Sequence, residues 1–294
     1  MIPESLRRAI SLALRALASV SERAAAAVAF RLFVTPIGAR RTLIEGRRLE
    51  RAQATLDQAR REEMDGLAVW VWESGDEPLT VVLVHGWTSR ALYMTGFVQP
   101  LREAGLRVVA LDFPGHGESD GTTLTFDRAG SAVVQLADRF GPTVLVGHSF
   151  GASMSVLAAA GAPTLEPARN VVGLVLVAGA NELKDVSGRF CQLFGLPAGV
   201  KTRIDRRLEE IGGDRIERFT SANGIRDAAV PTLLLHDPED AIVPVSDAEA
   251  IARETHARLV HTSKLGHNRI LYSPVVFREI VQFVEREIQA VEAV

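Results

Sequence analysis

Residues 142–160 read Pro142-Thr143-Val144-Leu145-Val146-Gly147-His148-Ser149-Phe150-Gly151-Ala152-Ser153-Met154-Ser155-Val156-Leu157-Ala158-Ala159-Ala160. The Val-rich apolar run before Gly147 has the length and composition of a buried strand. The small residues after Phe150 read as a helix. A serine at the centre of G-x-S-x-G between a strand and a helix sits in a sharp, strained turn, with its side chain raised above the sheet edge. The two backbones approach closely there, so the positions two before and two after must nearly lack side chains, and Gly147 and Gly151 meet that need. Ser149 would then stand at a helix N-terminus, beside N–H groups that have no helical acceptor and can hold an oxyanion. The pentapeptide alone is frequent by chance; its flanks and its partners elsewhere in the chain give it weight.

Working outward, the chain alternates strand-length and helix-length segments from residue 67 onward. Ala68–Trp72 and Thr80–Val84 read as strands joined by a Gly-Asp-Glu-Pro turn. Strands follow at 108–111, 143–146, 171–177, 230–235 and 258–261, with helices at 126–140, 150–160, 246–254 and 274–290. Apolar runs without polar alternation mean strands buried on both faces, hence a mostly parallel central sheet flanked by helices. About fifty residues separate the strand ending near Ala178 from the one starting at Val230, far more than an ordinary connection. This insertion, 180–228, is expected to form a short helical lid with pieces at Val186–Phe194, Lys201–Ile211 and Arg215–Thr220. Phe190, Leu193 and Phe194 are its expected substrate-facing residues, with Cys191 and Leu196 on the same apolar face.

A serine hydroxyl needs a base within hydrogen-bond reach, and the base needs an acid to fix its tautomer. Later strand ends supply both. His236-Asp237-Pro238-Glu239-Asp240-Ala241-Ile242-Val243-Pro244 follows one strand, and Lys264-Leu265-Gly266-His267-Asn268 follows the next. His85-Gly86-Trp87 follows the second strand, and Asp112-Phe113-Pro114-Gly115-His116-Gly117-Glu118-Ser119 follows the third.

Together, in this order, these motifs resemble the α/β-hydrolase superfamily over residues 67–290. The resemblance implies Ser149 as nucleophile, His267 as general base and then acid, and Asp240 as the residue that orients His267. It implies an oxyanion hole made by the backbone N–H groups of Trp87 and Phe150. Asp237 and Glu239 share the acid loop, and spacing to Val243-Pro244 favours Asp240. His85 and His116 read as turn residues, and Asp112 as a turn residue rather than a second catalytic acid. Relatives of this fold that open haloalkanes or epoxides attack with an aspartate; a serine instead points to acyl transfer to water.

The 294 residues are 47% hydrophobic and 23% charged, normal for a globular chain, and the net charge of −3 does not suggest nucleic acid as a partner. With Cys191 alone, no intrachain disulfide can form. Neither a metal-ligand cluster nor a dinucleotide fingerprint is present, so no cofactor is expected. The total charge conceals an asymmetry. Residues 1–61 hold twelve arginines, no lysine and five carboxylates, a net +7, which leaves −10 to residues 62–294. Residues 4–33 have helical composition, with Leu6, Ile10, Leu14 and Leu17 on one face, and a second helix is expected over 48–63. This N-terminal helical arm, 1–66, would pack on the hydrolase domain, 67–294, self-associate, or lie on an anionic membrane. Arg15 interrupts the apolar segment that a signal peptide would need, and a cytoplasmic location is expected.

The expected function is a serine hydrolase (carboxylesterase-like) acting on a small-molecule acyl ester. The same residues would also serve a thioesterase, a lysophospholipase or lipase, a C–C-bond hydrolase or an aminopeptidase, since fold does not fix substrate. Outside enzymes, the alternative is a binding or scaffold protein on the same fold.

Overall fold

The computed structural model describes residues 4–289. The terminal residues assigned to the arm (1–3) and to the hydrolase domain (290–294) lie outside the described residues. Among the described residues eight strands form one sheet: β1 Arg60–Met64, β2 Leu67–Trp72, β3 Thr80–Val84, β4 Arg107–Leu111, β5 Thr143–His148, β6 Val171–Val177, β7 Thr232–His236 and β8 Arg258–His261. Their order is β1-β2-β4-β3-β5-β6-β7-β8. β1 and β2 pair antiparallel, as do β2 and β4; from β4 to β8 every pairing is parallel.

Among the described residues the α-helices in chain order are α1 Glu4–Val20, α2 Glu22–Phe33, α3 Gly46–Leu56, α4 Val98–Glu103, α5 Phe126–Arg139, α6 Phe150–Ala160, α7 Leu183–Phe194, α8 Ala198–Gly212, α9 Ser221–Ala228, α10 Val245–Glu254, α11 Gly266–Arg269 and α12 Pro274–Phe283. Successive strand residues face opposite sides, and the two cores divide accordingly. Val81, Leu83, Val144 and Val146 join α4 and α12 on one side. Val82, Val84 and Leu145 join α5 and α6 on the other.

Three expectations are corrected. The helix expected over 48–63 stops at Leu56, and Arg60–Met64 becomes the edge strand β1. Arg-Arg-Glu-Glu carries little β propensity, but charged residues suit an exposed edge. Asp65 and Gly66 both have positive φ, as a two-residue hairpin turn requires. The sheet therefore begins at Arg60, ahead of the boundary expected at 67. The segment 4–33 is two helices, because Ser21 is extended and its Oγ accepts the Ala24 N–H at 3.2 Å, capping α2. In the insertion, only Ile216–Arg218 forms a 3-10 turn where a helical piece was expected; the helix is α9, capped by Thr220 Oγ1 on Asn223 N at 3.0 Å.

The arm is part of the same body. Leu14, Ala25, Ala26 and Ala29 are buried in the core that includes Phe194, Val200 and Ile204 of the 180–228 insertion, which forms a helical cap. Ser11 Oγ donates to Phe194 O at 2.6 Å. Phe33 meets Phe190 edge to face at 5.0 Å. Below α2 the chain runs along the turn that follows β4: Leu124 N donates to Val34 O, and Arg40 donates to the carbonyl oxygens of Ser119 and Gly121. One end of the arm thus lies on the cap and the other beside the loop that follows β4.

Candidate active site

Ser149 follows β5 and precedes α6, with φ 54° and ψ −119°, a conformation costly for a residue with a Cβ. Its N–H donates to Val177 O at 2.9 Å, which fixes the turn to the next strand. The flanking glycines have a measurable reason. A Cβ on Gly151 would stand 2.1 Å from Val84 O, and one on Gly147 would stand 2.4 Å from Gly151 O. Only side-chain-free positions let helix and strand backbones approach this closely.

His267 Nε2 lies 3.0 Å from Ser149 Oγ, and His267 Nδ1 lies 2.7 Å from Asp240 Oδ2. The three residues come from the ends of β5, β7 and β8 and form one hydrogen-bonded line. Asp240 is buried, which by itself disfavours its charge. The bonds from His267 and from the Val243 and Ile242 N–H groups outweigh that burial and hold its carboxyl below the usual range. Those bonds, at 2.8 and 2.9 Å, occupy Oδ1 and leave Oδ2 to His267. A charged Asp240 keeps the His267 proton on Nδ1, so Nε2 faces Ser149 as an acceptor.

The rival acids separate cleanly. Glu239 is exposed. Asp237 is buried and accepts from Thr262 Oγ1 at 2.8 Å and from the N–H groups of Glu239 and Leu265, both at 2.9 Å. It ties the acid loop to the base loop and does not meet His267. Asp112 accepts from Glu118 N at 2.7 Å inside its own turn and from Ala91 N at 2.6 Å in the segment that follows β3. A Cβ on Gly117 would fall 1.7 Å from its Oδ2, which accounts for the glycine there.

Trp87 and Phe150 flank Ser149 with their rings edge to face at 5.4 Å. Gly86 brings the Trp87 loop against the serine, since a Cβ on it would stand 3.2 Å from Ser149 Cβ. Among the described residues the Trp87 N–H makes no hydrogen bond, and the Phe150 N–H opens α6, where no helical carbonyl accepts it. Two histidines hold these loops. His85 Nε2 accepts from Phe113 N at 2.9 Å, and His116 Nε2 accepts from Thr88 N at 3.2 Å. Burial depresses His85 to about 4 and His116 to about 3, so both rings are neutral and can accept.

The cap residues expected to face substrate are placed differently. Phe194 is fully buried beneath the arm, Phe190 stacks on Phe33 and Phe194, and Leu193 is 50% exposed. The arm occupies the apolar face that the lid reading reserved for an acyl chain. His148, the residue before the serine, is buried and hydrogen-bonded to the His267 backbone. No spacing rule marks it; only the approach of the elbow to the β8 loop does. Among the described residues no group of histidine, cysteine or carboxylate side chains is arranged to hold a metal ion.

Residues 81–280 match the model of the alpha/beta hydrolase family. The chain belongs to that family. A Pseudomonas putida protein, the dihydrolipoyllysine-residue acetyltransferase component of an acetoin cleaving system, is 30% identical over 258 residues, spanning 74% of this chain and 67% of that protein. Among solved structures, an esterase of Pyrococcus furiosus superposes with TM-score 0.59 at 19% identity, covering 84% of this chain and 96% of its own. Est1E of Butyrivibrio proteoclasticus, solved with ferulic acid, gives TM-score 0.61 at 20% identity over 78% and 99%. The butyrate-bound Est2 of Thermogutta terrifontis gives 0.61 at 15% over 78% and 94%. At these identities the likeness to the solved structures is one of fold, a mostly parallel sheet flanked by helices.

Proposed function

We propose that this alpha/beta hydrolase cleaves carboxylic esters through an acyl-enzyme on Ser149. The observation that carries the reading is the unbroken line from Asp240 through His267 to Ser149, at 2.7 and 3.0 Å, ending on a strained serine at a helix N-terminus. Ser149 Oγ attacks the ester carbonyl while His267 Nε2 takes the hydroxyl proton. The N–H groups of Trp87 and Phe150 hold the oxygen on which negative charge develops. Asp240 steadies the imidazolium. His267 then returns the proton to the departing alcohol, and a water, deprotonated by the same Nε2, releases the acid and restores Ser149.

Hydrolysis of p-nitrophenyl esters from acetyl to dodecanoyl tests this, with Ser149→Ala and His267→Ala as controls. Loss of turnover in both variants supports the assignment, and the preferred chain length measures the acyl site. A folded wild-type protein inert on every ester would overturn it, and would turn attention to thioester, amide or C–C bonds or to a binding role. A second reading, acyl transfer to an acceptor other than water, draws on the acetyltransferase name of the Pseudomonas relative. It shares the acyl-enzyme, so an added thiol or alcohol would appear as acylated product at the expense of free acid.

A further inference from the structure

We infer that the outer face of the N-terminal arm is a docking surface for an anionic lipid membrane. The inner face of α1 is accounted for: Ile10, Leu14 and Leu17 pack on the core. An amphipathic helix so placed normally shows polar residues to water. The outer face of α1 instead carries Ala9, Leu12, Ala13, Ala16 and Val20, all exposed, with Leu12 at 67% and Val20 at 85%. Nine large hydrophobic residues are exposed among the described residues, and six of them, Leu6, Leu12, Val20, Val28, Ile37 and Leu43, fall in the arm. A seventh, Leu193, lies at the end of α7 where Ser11 bonds to Phe194. Scattered exposed leucines need no explanation, but a concentration on one element does.

Charge selects the partner. Residues 4–43 carry seven arginines and two carboxylates. Both carboxylates are engaged: Glu4 pairs with Arg8, and Glu22 lies over Gly199 in the first turn of α8. Arg15, Arg23 and Arg31 make no ion pair among the described residues. Residues 62–294, by contrast, carry a net −10. The molecule is therefore polarised, and an anionic surface attracts the arm while repelling the body. An apolar strip bordered by arginines, whose aliphatic stems lie along it while their heads reach the phosphates, is the pattern of a helix lying in a membrane interface. Among the described residues no helix is long and apolar enough to cross a bilayer, so the mode is surface attachment.

The test is sedimentation of the full chain with vesicles, in the Ser149→Ala background so that no lipid is cleaved. Vesicles of phosphatidylcholine with phosphatidylglycerol are compared with phosphatidylcholine alone. The expected result is protein in the pellet with anionic vesicles only, released at about 1 M salt, where the Debye length falls to about 3 Å. Arg15→Gln is expected to weaken binding about fivefold, the worth of one basic residue near such a surface. Leu12→Ser with Val20→Ser is expected to abolish it, and both substitutions in the wild-type background should leave turnover of a soluble ester and the melting curve unchanged. Protein that stays in the supernatant, or binds both vesicle types equally, or binds as well with the double substitution, overturns the inference. A dimer that the double substitution dissociates, without vesicle binding, would overturn it too and assign the face to a second copy of the chain.

Discussion

His148 Nε2 stands 2.9 Å from the main-chain oxygen of His267, so the residue before Ser149 holds the backbone of the residue that Ser149 faces. The two imidazole rings lie 4.9 Å apart. Burial depresses His148 to about 3. It is therefore neutral, and donating to a carbonyl places its one proton on Nε2. Nδ1 is buried without a partner beside Gly86, an arrangement retained here because Nε2 is engaged. This bond links the serine turn to the histidine loop independently of the Ser149–His267 contact itself. Replacing His148 by Phe removes the donor and is expected to lower kcat about tenfold, the worth of a net hydrogen bond of about 1.4 kcal/mol, with little change in KM. His148→Gln, whose amide nitrogen can stand near the Nε2 position, should recover most of the loss. Equal losses for Phe and Gln would assign His148 a packing role only.

Two glycines beside the serine should fail in different ways. Gly151→Ala places a Cβ 2.1 Å from the Val84 carbonyl, with backbone on both sides of the clash. It is expected to cost more than about 3 kcal/mol and to prevent soluble folding, since neither strand nor helix can retreat. Gly86→Ala meets His148 and Ser149 at 3.1–3.2 Å, a crowding that small shifts relieve. Those shifts, of a few tenths of an ångström, move the serine and the Trp87 N–H, so the variant should fold yet lose about tenfold in kcat, less than the hundredfold of a displacement of about 1 Å. Urea melts and ester kinetics on the two proteins distinguish the outcomes; a Gly86→Ala enzyme with normal kcat would break the argument.

Most of the sheet was legible because its strands are apolar on both faces and are bounded by turns. The line Ser149, Asp240, His267 was legible because each residue follows a strand at its C-terminal end. What escaped depended on tertiary context. β1 carries Arg-Arg-Glu-Glu, which by composition reads as helix, and only pairing with β2 makes it a strand. Asp65-Gly66 did signal a hairpin there. The lid residues Phe190, Leu193 and Phe194 were assigned to substrate because a lone apolar face suggests a ligand. The sequence does not say that α1 and α2, far earlier in the chain, cover that face through Ser11 on Phe194 and Phe33 on Phe190. His148 was invisible for the same reason: its partner is a backbone oxygen 119 residues away.

Asp237 and Asp240 predict opposite phenotypes from one loop. Asp240 meets His267 and otherwise bonds within its own turn, where the Oδ1 of an asparagine can still accept from Ile242 and Val243, so Asp240→Asn should cost less stability than Asp237→Asn. Asp240→Asn should lower kcat by about 10⁴, because an amide favours the wrong histidine tautomer. Asp237 accepts three hydrogen bonds, two of them from the base loop, and touches no reacting group. Asp237→Asn is expected to cost about 2 kcal/mol of stability, the scale of a charge-assisted bond replaced by a mismatched amide, while the folded fraction keeps its turnover. Denaturation curves and kcat per folded molecule check both. A large kcat loss for Asp237→Asn at full stability would reverse the assignment.

Three buried histidines should make the protein labile in mild acid. His85, His116 and His148 are depressed by burial to about 4, 3 and 3, against an ordinary value near 6.5. Between those limits the unfolded chain binds protons at these sites and the native chain does not. Stability therefore rises with pH across the window, and it is lost as pH falls from about 6.5 toward 4. Each ring contributes at most about 1.4 kcal/mol per pH unit, so the three together approach about 4 kcal/mol per unit. Depressed carboxylates such as Asp240 and Asp237 act in the same direction, but below their ordinary range near 3.8. Asp112, raised by burial, acts oppositely above it. The urea midpoint is thus expected to fall steeply between pH 6 and 5, before most carboxylates titrate. His116→Gln should remove about one third of that slope, at the cost of the Thr88 contact. A midpoint that stays flat from pH 7 to 5 would mean that these rings are protonated in the native protein, and that Phe113 and Thr88 do not donate to them.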